Sequence, residues 1–584
     1  MPNLPWLQQP SQQKIHTELF QGYNHQLRIS ANQMYDTTNL SADQYPLLAT
    51  RKLRGSMQEY TNPTGIIAKD ALAVIDGTNV IYNGEYIDLN LSDDGPKKLV
   101  SMGAYLVIFP DKKYLNTADL TDYGSMEAFF SYEANGDAGV SYELCNIRGE
   151  VYENVTAQDT EPEEAVNAAL WLDTSGTTHI LMQYSSSSAT WVQIPTVYVK
   201  ISAPNIGANF NQFDGVTIEG AKGTEQIEAL NSSHIIYAKD TDWIVVIGIL
   251  DTATIQTTGT LSISRTVPEM DYVCEAGNRL WGCKYGLVDG KAINEIYGSK
   301  LGDFKNWSCY MGISTDSWAA SVGSDGQFTA AVNYLGYPTF FKEDAIHTVA
   351  ISSAGAHQIQ TTIGSGVQRG SWRSAAVAGE VLYYKGRSGI YAYDGSQPVE
   401  LSDPLGGVRY KNAVAGSVGG KYYISMQDDA DVSHLFVFDT SKRVWMREDN
   451  TAALMFAAAD GDLFYIDADT KCLMSVYGTQ GEKEESIRWE AVSGIQHYEE
   501  PGHKYLGRYN FRVKLGKGSR FQLLMQYDSD GVWYDRGTVA GDRLNTFTLP
   551  VIPRRCDHLQ FKLIGEGEFQ LFSITRIYEA GSDM

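Results

Sequence analysis

Acidic turns hold the first residue groupings with chemical potential. "QDDADVSH" (residues 427–434) and "DADTK" (467–471) gather carboxylates, as a calcium loop does. Both lack the glycine and closing glutamate of such a loop, and an acidic turn between strands is ordinarily just hydrated. The 10 histidines are dispersed. His347, His434 and His558 fall in or beside strand-like runs, where a satisfied structural role is the default. The six cysteines (Cys145, Cys274, Cys283, Cys309, Cys472, Cys556) form no CxxC pair. Cys274 and Cys283 lie in one apparent hairpin, so a disulfide stays open there beside the reading as small buried hydrophobes. No Cys/His cluster has zinc spacing. Glycine-rich phosphate loops, G-x-S-x-G elbows and H-E-x-x-H motifs are also missing. The expectation is a chain without catalytic residues, metal or cofactor.

Two acidic turns leave an alternative. "SDGQFTA" (324–330) and "YDSDGVW" (527–533) share part of the Asp-box order Ser-x-Asp-x-Gly-x-x-Trp of sialidase propellers. A glycosidase needs two carboxyls opposed across a cleft, and sequence alone does not place such a pair among 70 acidic residues. A third reading is recognition of a receptor or glycan through an aromatic platform. Trp171, Trp191 and Trp243 are its candidates, although a tryptophan in a strand is more often core.

The totals bound what can position these groups. The chain has 584 residues and is 43% hydrophobic, enough for real cores. With 36 Tyr and 55 Gly, the mix favours strands joined by tight turns. No apolar run approaches the ~20 residues of a spanning helix, and no membrane partner is expected. The amino-terminal "MPNLPWLQQPSQQKIHTELF" lacks the order of a secretory signal, so folding in the cytoplasm is expected. A net charge of −24 argues against a grip on nucleic acid through phosphates, which takes clustered Lys and Arg.

A repeat organises the middle of the chain. Residues 378–395, 419–445 and 460–478 each read as glycine turn, strand, polar turn, strand. The glycines ahead of the strand, Gly379, Gly420 and Gly461, are spaced by 41 and 41 residues. Gly336 precedes them by 43, Gly277 lies 59 before that, and Gly103 lies 174 before Gly277. A strand-built period of about 40–45 residues predicts a β-propeller; a stacked sandwich or β-solenoid is the structural alternative. The long gap predicts an inserted, mostly-β domain over 118–265, in which "EPEEAVNAAL" (161–170) is the best helix candidate. The predicted fold class is thus mainly β: a propeller over 67–117 and 266–479, the insertion, and a C-terminal jelly-roll-like β-sandwich over 480–584. In that sandwich Phe511, Val513 and Leu515 alternate with Arg512 and Lys514, a half-buried strand. Residues 1–66 read as an extended arm. Leu47 and Leu48 should tuck against a neighbour, with Arg51, Lys52 and Arg54 outside.

Three stretches carry a family likeness. Residues 20–55 resemble the amino-terminal stretch of tail nozzle or hub proteins of short-tailed bacteriophages, also called packaged-DNA stabilisation proteins. The matches are Gly22, Asn24, Asp36, Asn39, Leu40, Pro46, Arg51 and Arg54. "NRLWG" (278–282) followed by "SKLGDFKN" (299–306), and "RRCDHLQFKLIG" (554–565), are similar too. The likeness touches both ends and the propeller, and covers the insertion weakly.

The resemblance implies a structural tail part of the virion, assembled in the host cytoplasm. It would form a ring with itself, a hexamer, below the portal–adaptor connector. The ring would continue the channel through which genomic DNA passes without specific binding, help retain that DNA, and anchor tail fibres or spikes. A net-negative lumen would let DNA slide. Asn39, Leu40, Pro46, Leu47, Leu48, Arg51 and Arg54 are then the candidate ring and adaptor contacts. Asn278, Trp281, Leu301, Gly302, Asp303 and Trp307 are candidates for a structural propeller motif.

Overall fold

The computed structural model describes residues 12–93, 95–163, 165–352, 356–498, 502–551 and 554–580. Among these, seven small antiparallel sheets follow one another as blades. They span residues 63–88, 98–125, 272–321, 330–363, 376–400, 411–449 and 453–475. Each pair of neighbouring blades shares an apolar cluster. Leu106 and Ile108 of blade 2 meet Ala73 and Ile75 of blade 1. Val74 of blade 1 meets Phe464 and Ile466 of blade 7. The five joints between are filled the same way. Because blade 7 packs on blade 1, the series closes into a wheel, a β-propeller.

The repeat glycines have a defined place in it. Gly103, Gly277, Gly336, Gly379, Gly420 and Gly461 all sit in the turn between the first and second strand of a blade, with φ between 56° and 82°. A two-residue hairpin turn needs this left-handed backbone, which glycine adopts without strain. Blade 1 turns through Lys69–Asp70–Ala71 instead, so it carries no such mark.

The insertion leaves blade 2 after Tyr123–Ser125 and returns at Tyr272–Glu275. The expected boundary at 118 therefore falls inside blade 2. The insertion contains a seven-stranded sheet, centred on Ala128–Cys145 and Thr254–Arg265, and a four-stranded sheet over 156–193. The helix expected at 161–170 is not formed: its described residues are turn and bend ahead of the strand Leu170–Asp173. Pairing of that strand with Ile180–Ser185 outweighs the weak local preference of an acidic, proline-bearing run. The one α-helical turn in the insertion's described residues is Glu225–Glu228.

The C-terminal β-sandwich has a seven-stranded and a five-stranded sheet. Phe511, Val513 and Leu515 point into its core while Arg512 and Lys514 face out. Its main departure from expectation is the arm. Residues 1–11 of the arm lie outside the described residues, but three of its later segments are built into the sandwich. Gln12–Thr17 and Leu48–Thr50 pair with the last strand, Phe569–Ala580, and Met34–Thr38 pairs with Arg488–Ser493. The next segment, Gly55–Glu59, pairs with Cys472–Ser475 as the fourth strand of blade 7. From residue 12 on, the arm is therefore neither free nor a separate domain.

The two arginines expected outside are interior. Arg54 is 3% exposed and Arg51 8%. Arg54 contacts Glu448 and Asp449 at 2.8 Å each. Arg51 grips Glu484 with both terminal nitrogens, at 2.7 and 3.0 Å. A guanidinium is buried only where its charge is matched and its donors are spoken for. Arg54→Ala would strand two carboxylates at the seam between sandwich and wheel. We expect a loss of about 3–5 kcal/mol, read as an earlier transition in a urea titration followed by tryptophan fluorescence.

Candidate functional site

The residues singled out by sequence gather at two joints rather than around one cavity. The first joint fastens the sandwich to blade 6. Asn39 has a left-handed backbone (φ 56°), and its amide bridges three segments. Its Oδ1 accepts from Arg51 Nε at 2.7 Å, its Nδ2 donates to the Arg488 carbonyl at 2.8 Å, and its backbone N–H donates to the Glu448 carbonyl. Beside it, Thr37 Oγ1 donates to the Arg447 carbonyl at 2.9 Å, and Arg447 pairs with Asp36 at 3.2 Å. Lys421 of blade 6 pairs with Asp43. Leu40 and Leu48 are buried in the sandwich core, Leu47 is half-buried and Pro46 is exposed. Burial works against the charge on Asp449, but Arg54, the hydrogen bonds from Thr451 and Arg51 together outweigh it and hold the carboxyl below its ordinary range. Glu484 is held low in the same sense by Arg51.

The second joint fastens the insertion to blade 3, at the corner between its last two strands. Trp281 is buried, with its indole lying over Gly298 and donating to the Ala276 carbonyl at 3.0 Å. Asn278 (φ 58°) occupies the hairpin turn, and its carbonyl receives the Gly302 N–H at 2.9 Å. Asp303 caps the Lys305 N–H at 3.0 Å, Trp307 is buried, and Leu301 is 42% exposed. The clasp itself is Asn306. Its Nδ2 donates to the Phe213 carbonyl at 2.7 Å, and its Oδ1 accepts from the Gly215 N–H at 3.2 Å. A side chain at Gly215 would run into the Ser308 carbonyl at 2.3 Å. Next to the clasp, Arg265 and Asp214 form a buried pair at 2.5 Å. In the sequence Asn306 stands inside a longer stretch with nothing to mark it for this role. A buried amide that bridges two chain segments leaves no periodic signal.

A side chain crosses the axis of the wheel. Trp372–Ser374 is a 3-10 turn between blades 4 and 5. Arg373 nevertheless donates to the carbonyls of Thr64 in blade 1, Lys97 at the edge of blade 2 and Leu454 in blade 7. Only a residue on the axis reaches all three. Lys98 and Arg373 lie 5.3 and 4.7 Å from the Trp372 ring, with Tyr272 packed alongside.

A cavity of about 700 Å³ opens where blades 5 and 6 meet the amino-terminal segment. It is lined by His25, Tyr35, Lys385, Glu400, Ser402 and Tyr410. Burial pulls the Lys385 ammonium down to about 8, and its Nζ donates to the Gly386 carbonyl. Glu400 accepts from Ser402 at 2.8 Å and Tyr391 at 3.3 Å. One amine and one hydrogen-bonded carboxylate can hold a small polar ligand. A glycosidase acid needs a carboxyl raised above its ordinary range. Among the described residues the raised carboxyl is Asp214. Burial raises it against the pull of Arg265, and it lies at the insertion joint.

No family model matches the chain, and no curated protein matches it. Solved structures give distant likenesses. Raptor from Chaetomium thermophilum is 10% identical with a TM-score of 0.29, over 74% of this chain; the chain spans 30% of the Raptor chain. The WD40 domain of Toxoplasma gondii coronin is 8% identical with a TM-score of 0.23, over 74% of this chain and 88% of that one. An engineered GH43 glycoside hydrolase is 11% identical with a TM-score of 0.19, over 53% and 97%.

The remaining candidates are scattered. His347 is fully buried between Ser324 Oγ at 2.8 Å and Thr361 Oγ1 at 2.9 Å. His434 contacts Asp428, and His558 contacts Ser529 and Asp557. Trp171 and Trp191 pack edge to face in the small sheet of the insertion. Trp243 lies in the large sheet under Lys200, so the three form no common platform. All six cysteines are buried and free. Cys274 pairs in register with Trp281, and Cys283 with Tyr272.

Both the clasp and the buried histidine can be measured. Asn306→Ala should speed amide exchange at residues 213–215 while leaving blade 3 protected, because the amide ties insertion backbone to the corner. His347 gives a pH signature. Burial, aided by Lys342, pulls its pKa down to about 4, whereas the unfolded ring takes its proton near pH 6.5. The unfolded state thus binds the extra proton between these values. Stability should fall as pH drops from about 6.5 to about 4, by on the order of 3 kcal/mol from this group. His347→Gln should flatten that part of the profile of urea midpoint against pH.

Proposed function

We propose that the chain is a structural, non-catalytic part of a short-tailed bacteriophage tail. It is a nozzle or hub protein that assembles as a ring, six-fold by the resemblance, below the portal–adaptor connector. There the ring continues the DNA exit channel, helps retain packaged DNA, and anchors fibres or spikes. One observation carries this reading: in two of the three stretches of likeness, 20–55 and 278–306, residues are spent on joints between the sandwich, the wheel and the insertion. Asn39, Arg51 and Arg54 seal sandwich to wheel. The stretch 278–306 clasps the insertion to blade 3. None of these residues lines the cavity at Lys385.

The crossed axis supports the same reading in one further respect. The DNA path would run between copies of the chain, since Trp372 and Arg373 occupy the centre of each wheel. With −24 per copy, such a lumen would repel phosphate and let the genome slide. The corrected arm also narrows the adaptor contact. Of the seven candidates, Pro46 is exposed and Asn39 and Leu47 are half-buried, so docking would use the turn around Pro46 and not a free segment.

Mass measurement of the purified chain, alone and with a portal–adaptor complex, tests the proposal. A ring that forms on the complex is the expected outcome. Failure to associate, or hydrolysis of a fluorogenic glycoside by the chain alone, would refute it.

A further inference from the structure

The sandwich carries one grouping that serves neither joint. Gln496 and Leu559 exchange both backbone hydrogen bonds, at 2.8 and 3.2 Å. This isolated antiparallel bridge sets His497 beside His558, with ring centroids 5.6 Å apart. Asp557 completes the group. One donor atom from each of the three residues lies within 4.8 Å of the other two.

The surroundings hold these donors in place. Asp528 Oδ1 accepts the backbone N–H of Asp557 at 2.7 Å and that of His558 at 3.3 Å, which pins the pair. Ser529 Oγ lies 2.7 Å from His558 Nε2. With the ring proton on Nε2 and given to Ser529, the Nδ1 lone pair faces Asp557 Oδ2 at 3.0 Å. A cation between two lone pairs so placed would replace the proton that the two groups otherwise share. That spacing suits neighbouring ligands on an ion with bonds of about 2.0–2.2 Å. Ser529 then plays the part of an outer partner that fixes the tautomer of a metal-binding histidine. His497 and Asp557 are exposed and His558 is half-buried, so an ion has open access.

We propose that His497, Asp557 and His558 bind a divalent cation of the zinc type, with solvent completing its coordination. Two imidazoles and a carboxylate select Zn²⁺ and its late transition-metal neighbours over Mg²⁺ and Ca²⁺, which take oxygen ligands. The ligands come from two segments that also meet here through the Gln496–Leu559 bridge and through Gln560 Nε2 and the Phe561 N–H, which donate to the Ser493 carbonyl and hydroxyl. The ion therefore staples residues 496–497 to the start of the strand Leu559–Glu566. This inference stands apart from the tail assignment.

The test uses the full chain stripped with a chelator and titrated with Co²⁺, then Zn²⁺. One equivalent should bind, with visible Co²⁺ absorption that Zn²⁺ displaces, and Zn²⁺ should raise the melting temperature. His497→Gln and His558→Gln should each weaken binding more than tenfold and abolish that rise. Ser529→Ala should weaken it about tenfold through the lost tautomer control. Unchanged metal-free melting curves would show that the variants fold. Stoichiometric binding by the wild type lost in the histidine variants supports the site. No binding by the wild type, equal binding by the His497→Gln/His558→Gln double variant, or equal binding of Mg²⁺ would overturn it.

Discussion

A wheel of sheets holds only if the chain closes it, and one short strand does so here. Blade 7 takes three strands from residues 453–475 and its fourth, Gly55–Glu59, from near the other end of the chain. Without that strand the blade would end in a row of unpaired backbone groups, which is both a lost ladder and an aggregation edge. The closing strand is held by the residues just ahead of it. Arg54 is buried against Glu448 and Asp449 of blade 6, and its backbone N–H is taken by Glu484. Further back, residues 12–50 supply strands to the sandwich. Closure of the wheel and completion of the sandwich are thus one event in one segment.

The hub decides what kind of object the propeller is. Inner strands of a propeller surround an axis that is often open to water. Here a turn between blades 4 and 5 crosses to the far side and ties blades 1, 2 and 7 through Arg373. The guanidinium donates to three carbonyls, of which that of Thr64 also accepts the Lys97 N–H at 3.0 Å. An arginine does this better than a lysine because its fork is planar and its geometry fixed. Arg373 thereby couples the connection between blades 4 and 5 to the opposite blades.

How much of this was legible in the sequence depends on how local each feature is. A hairpin turn with positive φ is decided by two adjacent residues, so Gly103, Gly277, Gly336, Gly379, Gly420 and Gly461 made six blades visible. Blade 1 turns on Lys69–Asp70–Ala71 and carries no such glycine, although the propeller expected from residue 67 takes in most of it. Alternation at Phe511, Val513 and Leu515 is equally local. The arm was illegible because its pairing partners, Arg488–Ser493 and Phe569–Ala580, lie hundreds of residues away. Read alone, Arg51 and Arg54 are surface charges; only the fold brings Glu448, Asp449 and Glu484 to them. Asn306 shows the same limit at the insertion joint. Residues 161–170 show it in reverse, where local acidity suggested a helix and a neighbouring strand took the chain.

The chemistry of the joints explains why three bodies behave as one. An apolar seam tolerates sliding, because one hydrocarbon contact is worth nearly as much as the next. A buried ion pair does not. Displacing Arg54 from Glu448, or Arg265 from Asp214, leaves a charge in a place that water does not reach, and that penalty exceeds what the pair contributes when intact. The amides of Asn39 and Asn306 add direction: Asn39 donates to Arg488 and accepts from Arg51, while Asn306 both donates to and accepts from residues 213–215 of the insertion. Each joint is therefore nearly all-or-none. Sandwich and insertion keep a single registry against the wheel, and a force applied to one is passed to the others through bonds that hold fully or break outright.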